Sequence, residues 1–424
     1  MAWGLGSAVP AKMRWIRVFQ PPWLGARAST ASLSAPSQDR TDGGGVRMEK
    51  LDMTTEKAPT STGLDGVVVA ETYMSEVDGE KGRLIIRGHD IEELASWATF
   101  EDVCSLLWLG RVPDASLRES LRAELGRARV SVFQALPTLG NALDHADGMD
   151  ALRACVGQLP AEKSAGFSDE ARLTAAVAVF AAAWCRKRAG LAPVAPDATL
   201  THAADYLRMC IGKPSDAARI AGVDRYLVTV SDHGMNASTF TARVIASTDS
   251  DNVSAVTGAI GALKGPLHGG APGPVLDMLD AIGKPENAAN WLDAEIASGR
   301  RIMGMGHRIY RVRDPRAAVL EKGIEALERA GISTGRLSLA RAVESAALGV
   351  LKKKHPTRPL AANVEFYTAV MLDSVGLPRN QFTPTFGVGR VVGWMAHVNE
   401  QRIVKKLFRP GSTYIGTMPA VASV

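Results

Sequence analysis

Aromatic side chains make up only 6% of this chain, and cysteine occurs four times, at Cys104, Cys155, Cys185 and Cys210. None of the four sits in a Cys-x-x-Cys pair, so zinc and dithiol redox motifs are unsupported. The expectation is buried free thiols in a reducing compartment. Long apolar runs are missing as well. The longest, Ala175–Cys185, has eleven residues, too few to span a bilayer, and reads as a buried helix. There is no phosphate-loop motif, no dinucleotide-binding glycine fingerprint, no zinc-protease His pair, no heptad array and no internal repeat.

An excess of basic charge is present but badly placed for nucleic acid. The net charge is +5, from 49 Lys+Arg against 44 Asp+Glu. Residues 1–48 hold six basic side chains (Lys12, Arg14, Arg17, Arg27, Arg40, Arg47) and two acids (Asp39, Asp42), which is +4 of the +5. A body near +1 argues against a phosphate-backbone binder. Residues 1–38 contain no acid and are rich in Ala, Ser, Pro and Gly, in the loose manner of a targeting peptide. Pro10, Pro21 and Pro22 break any long amphipathic helix there. The expectation is that residues 1–55 are a disordered or targeting tail, or an upstream stretch before a start at Met48. The compartment follows from that choice: cytoplasm, or mitochondrial matrix if residues 1–48 are a transit peptide.

With 424 residues the chain is long enough to bury about three quarters of its unfolded surface, in two or three domains. Helical patterns dominate from residue 90. Asp90 caps a helix with acids in its first turn, and Asp314-Pro315 is a cap followed by proline at the first helical position. Leu320, Ile324 and Leu327 then share one face. Further helices are expected over Leu337–Lys354, from Asn363, and over Gly387–Arg402. Strand signals are confined to Gly66–Val69 and Arg83–Arg87, so a parallel α/β sheet is excluded and the fold class is mainly α.

Three segments combine glycine, histidine and charge beyond what packing asks for: Lys264–Gly270, Gly304–Arg316 and Asn363–Tyr367. Glycines beside a histidine let backbone amides approach a ligand, and two histidines with a carboxylate are the parts needed for proton transfer at carbon. Each residue also has a local explanation. His268 fits a turn, His307 a loop, and Glu365 the first turn of a helix, where the dipole favours an acid. Arg316 is harder to explain locally, because a cation in a first turn is disfavoured and calls for an anionic partner, a carboxylate or phosphate ligand. Arg390 lies off the apolar stripe of its helix with Trp394 and His397, where a solvated face also accounts for it.

Taken together these segments resemble the citrate synthase family. The resemblance covers roughly residues 60–424 and includes Gly82–Ile91, Asp232–Thr239, Gly265–Gly270, Gly304–Arg316, Asn363–Tyr367, Gly389–Gln401 and Arg409–Gly416, in family order. It implies an almost all-α homodimer, with a large domain from residues 60–268 and 376–424 and a small domain from 269–375. It implies condensation of acetyl-CoA with oxaloacetate, then hydrolysis of the thioester to citrate and CoA, with no metal and no cofactor besides the substrates. Glu365 stands in the place of the general base, His268 in that of the imidazole on the thioester oxygen, and His307 in that of the histidine acting on the keto carbonyl. His233, Arg316 and Arg390 match groups that hold oxaloacetate, and Arg409 matches an arginine reaching the partner subunit's site. Arg311 matches a CoA-phosphate contact, beside Gly304 and Gly306. No nucleic acid or membrane partner is implied.

Three departures stand out. The family base is most often aspartate, and the extra methylene of Glu365 displaces the carboxylate by on the order of 1 Å. Val230 replaces a frequent histidine three residues before His233. Pro272 and Pro274 stand where a helix-compatible run is usual. Two other readings are a 2-methylcitrate synthase using propionyl-CoA, since one methylene is worth only about 1–3 kcal/mol, and a CoA- or keto-acid-binding paralogue without turnover.

Overall fold

The computed structural model describes residues 64–418, except 65, 162–165, 270–271, 308, 333 and 355–359. The tail of residues 1–55, the start at Met48, and Gly270 lie outside the described residues.

The described residues carry three short strands, β1 (Ser75–Asp78), β2 (Arg83–Ile86) and β3 (His89–Asp90), in one antiparallel sheet with Ser75 opposite Ile86 and Ile86 opposite His89. The rest is helical: α1 (Ile91–Trp97), α2 (Phe100–Leu109), α3 (Ala115–Gln134), α4 (Gly148–Gly157), α5 (Asp169–Arg188), α6 (His202–Ile211), α7 (Ala217–Val230) and α8 (Ala237–Ser247). There follow α9 (Asn252–Leu263), α10 (Pro272–Ile282), α11 (Ala288–Ala297), α12 (Pro315–Arg329), α13 (Arg336–Lys354), α14 (Val364–Ser374) and α15 (Phe382–Val404). The mainly α expectation holds.

The strand expected at Gly66–Val69 does not form. The Val67 amide closes a turn onto the Leu64 carbonyl, and Val67 and Val68 lie exposed with no apolar face to cover. The second strand stops at Ile86 because Arg87 turns to positive φ. Despite its two prolines, the segment after His268 is helical from Pro272, since proline is tolerated in a first turn, where the missing N–H has no intrahelical partner.

The long apolar run becomes α5, buried on every side from Ala171 to Cys185. Such a helix is stable only in the middle of other helices, and α3, α4, α6 and α15 pack around it. Its N-terminus is capped by Ser168 with Asp169 and Glu170 in the first turn, and basic residues close its last turn. All four cysteines are free and buried. No helix among the described residues is long and apolar enough to cross a membrane. Three helix N-termini, those of α8, α12 and α14, carry the Ser238, Arg316 and Glu365 side chains, while α15 runs past with Arg390.

Candidate active site

Asp314 does two jobs at the start of α12. As N-cap it accepts the Arg316 amide at 3.0 Å, and its carboxylate takes the Arg316 guanidinium in a fork, Nε at 3.0 Å and Nη2 at 2.7 Å. The anionic partner that Arg316 needs is thus supplied by its own chain, not first by a ligand. Burial works against the Arg316 charge, but Asp314 outweighs it and holds the guanidinium above its usual pKa. Asp314 also accepts the Val364 amide at 3.2 Å, which ties α12 to α14.

Asn363 caps α14 through the Glu365 amide at 3.0 Å, and its side-chain amide donates to the Gly306 carbonyl at 2.8 Å. Backbone bonds from Asn363 to Gly304 (2.9 Å) and from Gly306 to Ala361 (2.7 Å) stitch the His307 loop to the helix that bears Glu365. Gly304 is required there. It sits at φ 73°, and a Cβ would come within 2.9 Å of Phe366.

The three histidines are held in different ways. His307 Nδ1 accepts two backbone amides, from Ile309 (3.0 Å) and Tyr310 (3.2 Å). A ring that accepts at Nδ1 carries its proton on Nε2, so His307 presents an N–H donor. His233 is buried, with Nε2 at 3.1 Å from the Tyr310 hydroxyl and its ring 5.6 Å from that of His307. His268 Nε2 lies 2.8 Å from Ser238 Oγ, which also receives Trp394 Nε1–H at 3.1 Å. Ser238 has a single proton, and Asn236 Oδ1, 2.8 Å away, competes with His268 for it. When that proton goes to His268 Nε2, the neutral ring carries its own proton on Nδ1.

Burial first, then nearby arginines, holds all three rings neutral. His268 is brought down to about 4 with Arg390 as the main charge, and His307 to about 4 with Arg316. His233 is pushed well below the ordinary range by burial, Arg316 and His307.

Glu365 is buried, with Oε2 unpartnered among the described residues. Burial pushes its pKa up to about 7, against the pull of Arg316 and Arg390. Arg390 is only 1% exposed, so the solvated-face reading fails; Trp394 and His397 are buried with it. Its Nε donates to the Val230 carbonyl at 2.5 Å, its guanidinium lies 4.9 Å over the Phe386 ring, and Nη2 is unpartnered among the described residues. Burial draws its pKa down to about 10, with Asp232 opposing. Val230, which replaces a histidine of the resemblance, is core: 1% exposed, it supplies only its carbonyl to Arg390.

His233, His268, His307, Arg316, Arg390 and Glu365 therefore converge: each feels the field of others in the set. Such an assembly can polarise a carbonyl, hold carboxylates and remove a proton from carbon. Arg311 and Arg409 stand apart from it. Arg311 is exposed, 3.9 Å from Glu80, and exposed Arg409 reaches, among the described residues, the Pro410 carbonyl at 3.5 Å. Sequence reasoning missed Tyr310, Ser238 and the second task of Asp314. The i, i+2 Asp-x-Arg spacing was the available signal for the last.

Residues 63–411 match the model of the citrate synthase C-terminal domain. The chain belongs to the citrate synthase family. Members condense an acyl-CoA with oxaloacetate. A 2-methylcitrate synthase of Mycobacterium tuberculosis is 36% identical over 92% of this chain and 95% of its own. A citrate synthase of Haloferax volcanii is 38% identical over 84% of this chain and 95% of its own. The crystal structure of the citrate synthase from Thermotoga maritima superimposes with a TM-score of 0.73 at 32% identity, covering 86% of this chain and 98% of that one. The helical architecture is therefore that of the citrate synthase fold.

Proposed function

We propose that the protein condenses acetyl-CoA with oxaloacetate and hydrolyses the citryl thioester to citrate and CoA. The observation that carries this reading is the Glu365 carboxyl, buried with an oxygen unpartnered among the described residues and poised near 7 among neutral histidines and two buried arginines. Ionised Glu365 removes a methyl proton from the thioester. His268 donates to the thioester oxygen as the enolate forms, a fixed donor where charge develops. The methyl carbon then attacks the keto carbonyl, to which His307 Nε2–H donates. Arg316 and Arg390, with His233, hold the keto acid's carboxylates in forked geometry. Water then releases citrate and CoA.

Helices α10–α14 fall within residues 269–375, which we assign to the small domain, with 60–268 and 376–424 as the large one. We also assign a homodimer in which Arg409 reaches the partner's site. Exposed Ile403, Tyr414 and Met418 near that arginine support it. Arg311, with the Gly304–Gly306 loop, contacts CoA. The reaction runs in the cytoplasm, as four buried thiols without a disulfide suit. It calls for no metal and no cofactor besides the substrates.

The 36% identity to a 2-methylcitrate synthase over 92% of the chain favours a second reading, with propionyl-CoA as donor. Thiol release from the full chain, with oxaloacetate and either acyl-CoA, separates the two. Faster release from acetyl-CoA with citrate formed supports the first, preference for propionyl-CoA the second, and release from neither sinks both.

The pH profile follows from the same residues. A base must be ionised, and Glu365 ionises near 7 in the free protein. Measured kcat/KM is expected to rise about tenfold per pH unit below 7 and to level off above it. His268 and His307, already neutral above about 5, add nothing to that limb. A profile flat from about pH 5 to 8 would remove Glu365 from the base role.

A further inference from the structure

Strand β1 carries none of the residues assigned above, yet it touches both histidine segments. At one end Ser75 Oγ donates to Asp232 and accepts the Gly234 amide at 2.8 Å. Val77, on the same face of the strand, packs against Gly234. Asp232 is itself fixed from behind. Its Oδ1 lies 3.2 Å from His397 Nε2, and His397 Nδ1 faces the Arg243 guanidinium at 3.1 Å. At the other end the Gly79 carbonyl accepts the Arg311 amide at 2.9 Å. The tip lies so flat on the segment after His307 that a Cβ at Gly79 would come within 2.3 Å of the Ile309 carbonyl oxygen. Across the site the Tyr310 hydroxyl meets His233 Nε2 at 3.1 Å. The contacts form a closed ring: His233 turn, Ser75, β1, Gly79, the 309–311 segment, Tyr310, and back to His233.

We infer that β1 is a strut that sets the spacing between the His233 turn and the His307 loop, with Ser75 and Gly79 as positioning residues for the condensation. This rests on the function proposed above. A short extended strand is stiff along its axis, about 3.3 Å per residue, and neither end relies on a flexible side chain longer than serine. The two histidines it spaces are those that would grip and polarise the keto acid, where a misplacement of about 1 Å can cost on the order of 10²-fold.

The test is steady-state kinetics with oxaloacetate and the preferred acyl-CoA on Gly79→Ala, Ser75→Ala, the double variant and Glu76→Ala, each with a melting curve. Glu76 points away from the His233 turn and should leave kinetics unchanged. In Gly79→Ala the new methyl meets a backbone oxygen that cannot rotate aside, and kcat/KM for oxaloacetate should fall on the order of 10-fold or more. Ser75→Ala, which removes one hydroxyl, should raise the oxaloacetate KM and leave the acyl-CoA KM alone, and it keeps the test open if Gly79→Ala does not fold. The double variant should lose less than the product of the singles, because a strut freed at one end no longer spaces anything. Active wild type with both singles within about twofold of it, or singles whose effects multiply in full, would overturn the strut. A wild type without thiol release in the same assay would instead sink the functional reading.

Discussion

Replacing Glu365 with glutamine is expected to lower kcat by roughly 10²–10⁴-fold, the usual contribution of a positioned base, while the protein stays folded. The amide has the same shape and keeps the α14 cap intact, because Asn363 bonds the backbone of residue 365 and not its side chain. Nor does the change strand a partner, since Oε2 has none among the described residues. A carboxyl that burial lifts to about 7 is partly ionised at neutral pH at some expense to folding. Glutamine removes that expense, so the melting temperature should hold or rise. The measurement is single-turnover thiol release beside a thermal melt. Near-normal turnover in a folded Glu365→Gln protein would assign proton abstraction to another group and make the family's aspartate-for-glutamate difference irrelevant here.

Arg390→Gln should act on binding. The oxaloacetate KM is expected to rise on the order of 10²-fold, as removal of one partner from a buried charge pair typically does, with a much smaller change in the acyl-CoA KM. Folding should suffer little. Among the described residues Arg390 makes one hydrogen bond, to the Val230 carbonyl, and stacks on Phe386, and burial already draws its pKa down to about 10. Arg316→Ala makes a poorer probe, because it strands the buried Asp314 carboxylate, a defect that costs several kcal/mol by itself. Equal rises in both Michaelis constants for Arg390→Gln would place the residue outside the keto-acid pocket.

Much of this site was legible because its parts announce themselves locally. Asp314-Pro315 and Asn363 begin helices as their side chains dictate, and both do so in the structure. What stayed hidden was tertiary. The capping role of Asp314 accounts so well for an aspartate at that position that it masks the one signal, the i, i+2 spacing to Arg316, for its second bond to that side chain. Arg390 was ambiguous for the opposite reason. An apolar stripe on α15 suggests a wet opposite face, but that face is covered by the end of α7 and the turn after it, whose Val230 carbonyl and Asp232 carboxylate receive its polar side chains. Contacts spanning more than a hundred residues leave no periodic trace. The strand expected at Gly66–Val69 failed in the same way, since β-branched residues make a strand only beside a partner edge, and β1 pairs with β2 instead.

The fork between Asp314 and Arg316 has a consequence for how a subunit would fare alone. Oxaloacetate arrives with two negative charges. Of the two arginines assigned to hold it, one is already cancelled by Asp314, and the other shares its field with the buried Asp232. The pocket of a single chain thus offers at most one uncompensated positive charge to a doubly charged guest. The shortfall is at least one cation, and exposed Arg409, which among the described residues bonds a neighbouring carbonyl and pairs with no carboxylate, is a candidate to supply it in the proposed dimer. In the homodimer proposed above, electroneutrality of the occupied site would be a property of the pair of subunits. A subunit of that proposed dimer, taken alone, would hold the keto acid at least one charge short of balance.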